Sequence, residues 1–391
     1  MQSSSLTVYQ RGSRYEVIYH AQVGSTGMDE IGERRVLLTV SGNIPDGLDD
    51  EVRAGRRPRA DYRVLAERFD ADVVDVSAAL AATGRIGAVA HRIGGPGLLL
   101  AWFLVLNGRR YEAIVTDGEH VGLPYAALSR LAGRRRARHV MIFHVVTPPK
   151  RRLFRWLALG RRIDRYVTYA SRQREAITDE LGVTPAKVVR IPFMVDTEFF
   201  SPPDVAPAPG PRPLIISVGR ERRDFPTLIE AVADLPVDVQ LTAASLWSRR
   251  GGAEAPLELP PNVRVDQFDY DGLRDLYERA DLVVVPLESV DFQAGITAIL
   301  EAMAMGCTVV CTRVPGQTDT IVDDRTGVYV APHDATALRR TIEELLADDE
   351  RRRRIGAAAL DWVRTHASVE RYAEQFAAIA THPADAATSG P

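Results

Sequence analysis

The chain has 391 residues, of which 46% are hydrophobic and 26% charged, and its net charge is −3. At roughly 100–200 residues per domain this fits two domains of a globular protein and excludes a disordered or fibrous chain. The longest apolar run, Leu98–Leu106, has nine residues. A membrane span needs about 20, so none is expected. Met1–Ser5 begins no basic-then-apolar leader.

Charge is divided unevenly. Residues 1–200 carry 30 Lys+Arg against 22 Asp+Glu, and residues 201–391 carry 19 against 30. From Arg130 to Arg162 there are 11 basic residues and no acidic one. Such a run suits either a solvated face or an anionic partner. Cys307 and Cys311 stand four apart in a strand-like run. That spacing holds them roughly 13 Å apart, so both read as buried thiols in a reducing cytosol.

In chain order, the first thirty residues have weak periodicity and give no assignment. Val36–Val40 reads as a strand ending in Ser41-Gly42-Asn43. Ala71–Val76, Ala113–Thr116, His139–Val146, Tyr166–Tyr169 and Lys187–Ile191 read as further strands. Ser201–Pro213 holds six prolines in thirteen residues and reads as a semi-rigid linker. Beyond it, Leu214–Val218, Val237–Thr242, Val263–Val265, Leu282–Val285, Thr308–Cys311 and Val328–Val330 read as strands. The intervening helices are Pro226–Ala233, Leu273–Ala280 with Asp271 as N-cap, and residues 295–305; Glu370–Ile379 is the last. Strands alternating with helices imply parallel sheets, whose ligands bind at the carboxyl ends of strands.

Two strand ends carry candidate chemistry. Ser217-Val-Gly219-Arg220-Glu-Arg-Arg223 turns at a glycine and brings two arginines, whose forks match phosphate oxygens. Asp291-Phe-Gln293-Ala294-Gly295-Ile296-Thr297 leads into a helix whose amino end is an anion site. Glu301, eight residues after Gln293, lies on roughly the same face of that helix. Asp269-Tyr-Asp271 has the spacing of a metal motif, but it opens a helix, where capping explains it.

With Leu276-Tyr-Glu-Arg-Ala-Asp281 and Asp324-Arg-Thr-Gly327-Val-Tyr-Val330, these stretches resemble the nucleotide-sugar-binding domain of family-4 retaining glycosyltransferases of the GT-B fold, the glycosyltransferase group 1 type. The resemblance covers about 212–380. It implies an α/β chain of two Rossmann-like domains facing across a cleft. The boundaries are 1–200 for the acceptor side, 201–213 for the linker, 214–365 for the donor domain, and 366–391 for a helix packing back and a tail.

The resemblance implies donor binding by Gly219, Arg220, Arg223, Ala294, Gly295, Ile296, Thr297 and Glu301. The arginines would hold the diphosphate, the backbone of Ala294–Thr297 the phosphate and sugar, and Glu301 the ribose. His144, Gln293, Arg220 and Arg223 would be the catalytic set; Gly42, Asn43, Glu119 and His120 would line the acceptor. Gln293 stands where the family has glutamate.

The implied reaction is retaining transfer from a nucleotide-diphosphate sugar to an acceptor hydroxyl. It needs no metal, and that sugar is a co-substrate rather than a cofactor. The acceptor is undefined, with lipid-linked or anionic compounds as candidates. No nucleic-acid partner is expected, and the location is cytoplasmic, at the inner membrane face if the basic run meets lipid. A nucleotide-sugar epimerase of the same fold and a nucleotide-sugar-binding module without turnover are the alternatives.

Overall fold

The computed structural model describes residues 7–11, 14–18, 36–131, 137–145, 148–205, 207–208, 210–219, 222–242, 247–250, 253–256 and 259–381. The first elements form an antiparallel hairpin, β1 (Thr7–Arg11) with β2 (Arg14–Ile18). The first large layer follows, its strands separated by helices. It runs β3 (Val36–Thr39), α1 (Leu48–Arg53), α2 (Asp61–Phe69), β4 (Asp72–Val74), α3 (Val76–Asn107) and β5 (Ala113–Thr116). It continues with α4 (Glu119–Leu131), β6 (Arg138–Ile142), α5 (Pro148–Trp156), β7 (Arg165–Thr168), α6 (Ser171–Glu175) and β8 (Val188–Arg190).

The sheet is parallel throughout, in the order β4-β3-β5-β6-β7-β8. Every residue of β3, β5 and β7 is buried, because helices cover both faces. The chain steps outward from β3 to β4 and then reverses to β5, so the topological switch point lies between β3 and β5.

The second layer repeats the plan. It comprises β9 (Leu214–Val218), α7 (Phe225–Val232), β10 (Asp238–Thr242), the hairpin β11 (Trp247–Arg250) and β12 (Ala253–Pro256), β13 (Val263–Val265) and α8 (Tyr270–Arg279). β14 (Leu282–Val285), α9 (Ile296–Ala304), β15 (Val309–Thr312), β16 (Val328–Val330), α10 (Ala335–Ala347), α11 (Asp349–His366) and α12 (Val369–Thr381) complete it. Its parallel sheet is ordered β13-β10-β9-β14-β15-β16, with the switch point between β9 and β14. Asp269, not Asp271, caps α8, accepting from the Gly272 amide at 2.9 Å.

The chain crosses between the sheets twice, and the crossings are tied together. Val195 bridges Ser368, its amide donating to Ala367 at 2.9 Å while Val369 donates back to it at 3.0 Å. Arg59 clamps this junction with two guanidinium bonds to Asp196, at 2.6 and 3.1 Å. Burial alone would raise the Asp196 carboxyl, but these bonds outweigh it and hold it low. After the junction α12 leaves the second sheet and seals the first. Tyr372, Phe376 and Ala380 share a core with Val36, Val115 and Val140.

One element departs from expectation. Val76–Arg110 is long and apolar enough to cross a membrane by length and composition, although no span was expected. Its backbone breaks at Gly84 (φ 56°, ψ −138°) and again at Gly94 and Gly95 (φ 66°, ψ −163° at Gly95). The pieces 76–83, 85–93 and 96–107 are each well short of about 20 residues. Leu99, Leu100, Ala101 and Leu104 of the last piece are core residues against Ile114 and Val121.

Candidate active site

The loops that follow the strands of the two sheets approach one another across a cleft, with Arg172 lying 3.9 Å from Asp291. In the second sheet β9 is followed by Gly219, at φ 100°, with its amide donating to Thr242 Oγ1 at 3.2 Å. Arg223 folds back over this turn. Its Nη2 and Nε donate to the Val218 carbonyl at 2.8 and 3.2 Å. A Cβ on Gly219 would lie 2.4 Å from Nη2, and a Cβ on Gly295 would lie 3.3 Å from Nη1. The guanidinium therefore fills a slot between β9 and the amino end of α9, and only glycine leaves that slot open. Arg220 lies outside the described residues.

Gly295, at φ 76°, is the N-cap of α9 and brings no capping side chain. The amides of Ile296 and Thr297 sit in the first turn, where no earlier carbonyl is in register. Thr297 is exposed and the Ile296 side chain is buried in the core. The Ala294 amide is not available to a ligand, contrary to expectation. It closes a tight turn by donating to the Phe292 carbonyl at 2.8 Å. The Ala294 carbonyl accepts from Gln317 Nε2 at 3.2 Å, which pins the loop.

Gln293 donates through Nε2 to Thr320 Oγ1 at 3.4 Å, and its Oε1 is buried without a partner among the described residues. Glu301 is 6% exposed on α9 and accepts from the Tyr277 hydroxyl at 3.0 Å. Burial pushes its carboxyl up to about 7 despite that bond.

On the opposite side, Asp117 at the end of β5 joins two loops. Its Oδ1 accepts from Thr39 Oγ1 at 2.8 Å, and its Oδ2 from the Ser41 amide at 2.6 Å. His120 Nε2 meets Ser41 Oγ at 2.5 Å. His144 Nε2 lies 3.2 Å from the Asp117 carbonyl. A carbonyl only accepts, so Nε2 carries the hydrogen and the neutral ring keeps Nδ1 as acceptor.

Glu119, expected to line the acceptor, is tied to the His144 backbone. It is 6% exposed and accepts from the His144 amide at 3.0 Å, fixing the histidine backbone. Gln173 holds the other end, donating to the His144 carbonyl at 3.0 Å. Gly42 and Asn43 are exposed at the rim, with Asn43 Oδ1 accepting from Ser77 at 2.9 Å.

Sequence reasoning missed Asp61, in the first turn of α2. Burial raises its carboxyl; the hydrogen bond from the Tyr62 amide is the largest offset, and the charges of Asp117 and His144 act in opposite directions beside it. An acidic residue opening a helix after Pro58 was the available signal. Across the cleft, Ser171 donates to Asp319 from its amide at 2.8 Å and from its hydroxyl at 2.6 Å, joining the two sheets' loops.

This double layout is the GT-B glycosyltransferase fold, shared over nine-tenths of the chain with a solved structure. A glycosyltransferase from Rickettsia africae ESF-5 superposes with a TM-score of 0.63 over 90% of this chain and 99% of its own, at 16% identity. Anabaena Alr3699/HepE, solved with UDP and glucose, gives 0.61 over 88% and 98%, at 17% identity. Residues 203–362 match the family model for glycosyl transferases group 1. The D-inositol 3-phosphate glycosyltransferase of Xylanimonas cellulosilytica is 31% identical over 218 residues, 50% of this chain and 52% of the relative. The chain thus spans about half the length of the curated relatives it matches.

Proposed function

We propose that this protein transfers a sugar from a nucleoside-diphosphate donor to an acceptor hydroxyl, with retention and without a metal. The observation that carries this is the Arg223 guanidinium seated between Gly219 and Gly295 at the amino end of α9. Fixed positive charge there meets the charge that grows on a departing diphosphate. The bond from the anomeric carbon to phosphate breaks and its electron pair leaves with the diphosphate. The acceptor oxygen bonds on the same face, and its proton passes to the leaving phosphate. His144, with Nδ1 as acceptor, orients that hydroxyl, and Glu301 takes the ribose hydroxyls. HepE's complex with UDP and glucose supports a nucleotide-sugar donor.

The acceptor is proposed to be lipid-linked, met in the cytoplasm at the inner face of the membrane. Arg152 and Arg155 on α5 are exposed, and Trp156 is 80% exposed. Phe154 is not part of that face: it is buried against Tyr166, with ring centroids 6.4 Å apart. Residues 132–136 and 146–147 of the basic run lie outside the described residues.

The test is a panel of nucleotide sugars, scored for thermal stabilisation and for acceptor-dependent release of nucleoside diphosphate, with and without EDTA. Release that EDTA abolishes would end metal independence. Interconversion of donor sugars without an acceptor would replace transfer with epimerisation.

Two substitutions separate the roles. His144→Ala should lower kcat roughly tenfold to a hundredfold through lost orientation, while calorimetry shows unchanged nucleoside diphosphate affinity. Gln293→Ala removes the buried acceptor atom that we assign to a donor-sugar hydroxyl. Transfer should fall at least about tenfold, or 1.4 kcal/mol, with that same affinity unaltered. A matched loss of nucleotide affinity would move Gln293 away from the sugar.

A further inference from the structure

We propose that the middle piece of α3, residues 85–93, is a docking arm that seats this protein on an anionic lipid bilayer. In this pose the acceptor side of the cleft faces the lipid. Ile86, Val89 and Ile93 are 64%, 57% and 76% exposed. Spacings of three and four place them on one helical face. Scattered exposed apolar residues are ordinary on a protein surface. Three on one face of a single short helix are not scattered.

The charges on α3 itself have one sign. Arg85 and Arg92 are exposed, and no Asp or Glu occurs between Asp75 and Glu112. An apolar face flanked by cations complements a surface of acyl chains under anionic headgroups.

The arm is held rather than loose. Gly87, on the face opposite the apolar one, is buried; a Cβ there would lie 1.7 Å from Thr83 Oγ1 and 3.0 Å from Leu99 Cδ1. Gly84 and Gly95, both at positive φ, turn the chain out and back.

Both roots of the excursion lie at the cleft. Ser77, at the start of the preceding piece 76–83, bonds Asn43. A Cβ on Gly97, just after it, would fall 2.1 Å from the His120 carbonyl. Lipid contact through Ile86, Val89 and Ile93 therefore places the bilayer beside Asn43 and His120. This deepens the membrane contact proposed above and rests on it, but it assigns the apolar contact to an element outside the 130–162 run.

The test uses the full chain carrying Ile93→Cys labelled with an environment-sensitive fluorophore. Cys307 and Cys311 are buried, so the new thiol is the accessible one. Vesicles of phosphatidylcholine are compared with vesicles that also contain phosphatidylglycerol, at low salt. We expect a blue shift and brightening on the anionic vesicles alone. Flotation of the unlabelled protein should fall at least tenfold with Ile86→Ser plus Ile93→Ser, and again with Arg85→Glu plus Arg92→Glu. Ile93→Ser should keep its turnover with a water-soluble acceptor.

Absence of flotation would overturn the membrane reading and this surface with it. Flotation with a dark label would overturn this surface alone. A concentration-dependent brightening without lipid would assign the face to a second copy and overturn lipid docking. A concentration-independent apolar signal without lipid would show that the protein's own residues cover the face, and would overturn it too.

Discussion

Arg223→Ala is expected to lower kcat/KM by roughly 30- to 3,000-fold, as a desolvated charge-assisted contact contributes about 2–5 kcal/mol. Most of the loss should fall on kcat, because the diphosphate gains charge only as its bond to the sugar breaks. Arg223→Lys should recover only part of it. A lysine keeps the charge but cannot reproduce the paired donation from Nε and Nη2 to the Val218 carbonyl that fixes the guanidinium. Gly219→Ala offers an independent check. Its methyl would meet the same guanidinium, and its φ of 100° strains any L side chain. Steady-state kinetics on purified variants decide the matter. Near-native turnover in Arg223→Ala with an intact melting transition would remove the arginine from the reaction. Arg220→Ala is expected to fall in the same range.

Much of the fold was visible in the sequence because each strand carries its own local pattern. The strands are legible since both faces of each sheet are covered. Runs such as Leu282–Val285 and Ala113–Val115 are then apolar without alternation, and all seven of these residues are buried. Gly219, Arg223 and Gly295 belong to two short segments beside one switch point, so their meeting follows from the parallel order.

What was misread depends on backbone turns or on distant loops. The Ala294 amide looked available because residues before a helix offer free N–H groups, but the Phe292 carbonyl turns back and takes it. Glu119, between Gly118 and His120, reads as a loop residue; only the fold brings it beneath the His144 amide. Asp61 and Asp117 are 56 positions apart in sequence, and nothing in either segment announces the other. Apolar content alone concealed the shape of α3, whose course is set by three glycines.

Glu301 yields the second large effect, and it has two opposite signs. Burial raises its carboxyl from 4.5 to about 7 in the free protein. The unfolded chain therefore ionises first, and stability declines as pH rises from that ordinary value to about 7, then levels off. The shift corresponds to about 3 kcal/mol. Ribose hydroxyls that donate to the carboxylate favour its ionised form, so nucleotide binding should expel the proton. Affinity should then fall about tenfold for each pH unit below 7, until the complex itself titrates. Calorimetry near pH 6, in two buffers of different ionisation enthalpy, should register the release of about one proton.

Glu301→Gln separates the two signs. The amide has no charge to desolvate, so the variant should melt higher than the parent at about pH 8. Its nucleotide affinity there should be at least tenfold weaker, because a hydroxyl bonded to an ionised acceptor is roughly twice as strong as its neutral counterpart. The pH dependence of binding should disappear as well. An affinity in the parent that stays constant from about pH 5.5 to 8 would show that the ribose does not reach this carboxylate, and Glu301 would then be a core residue of α9 held by Tyr277.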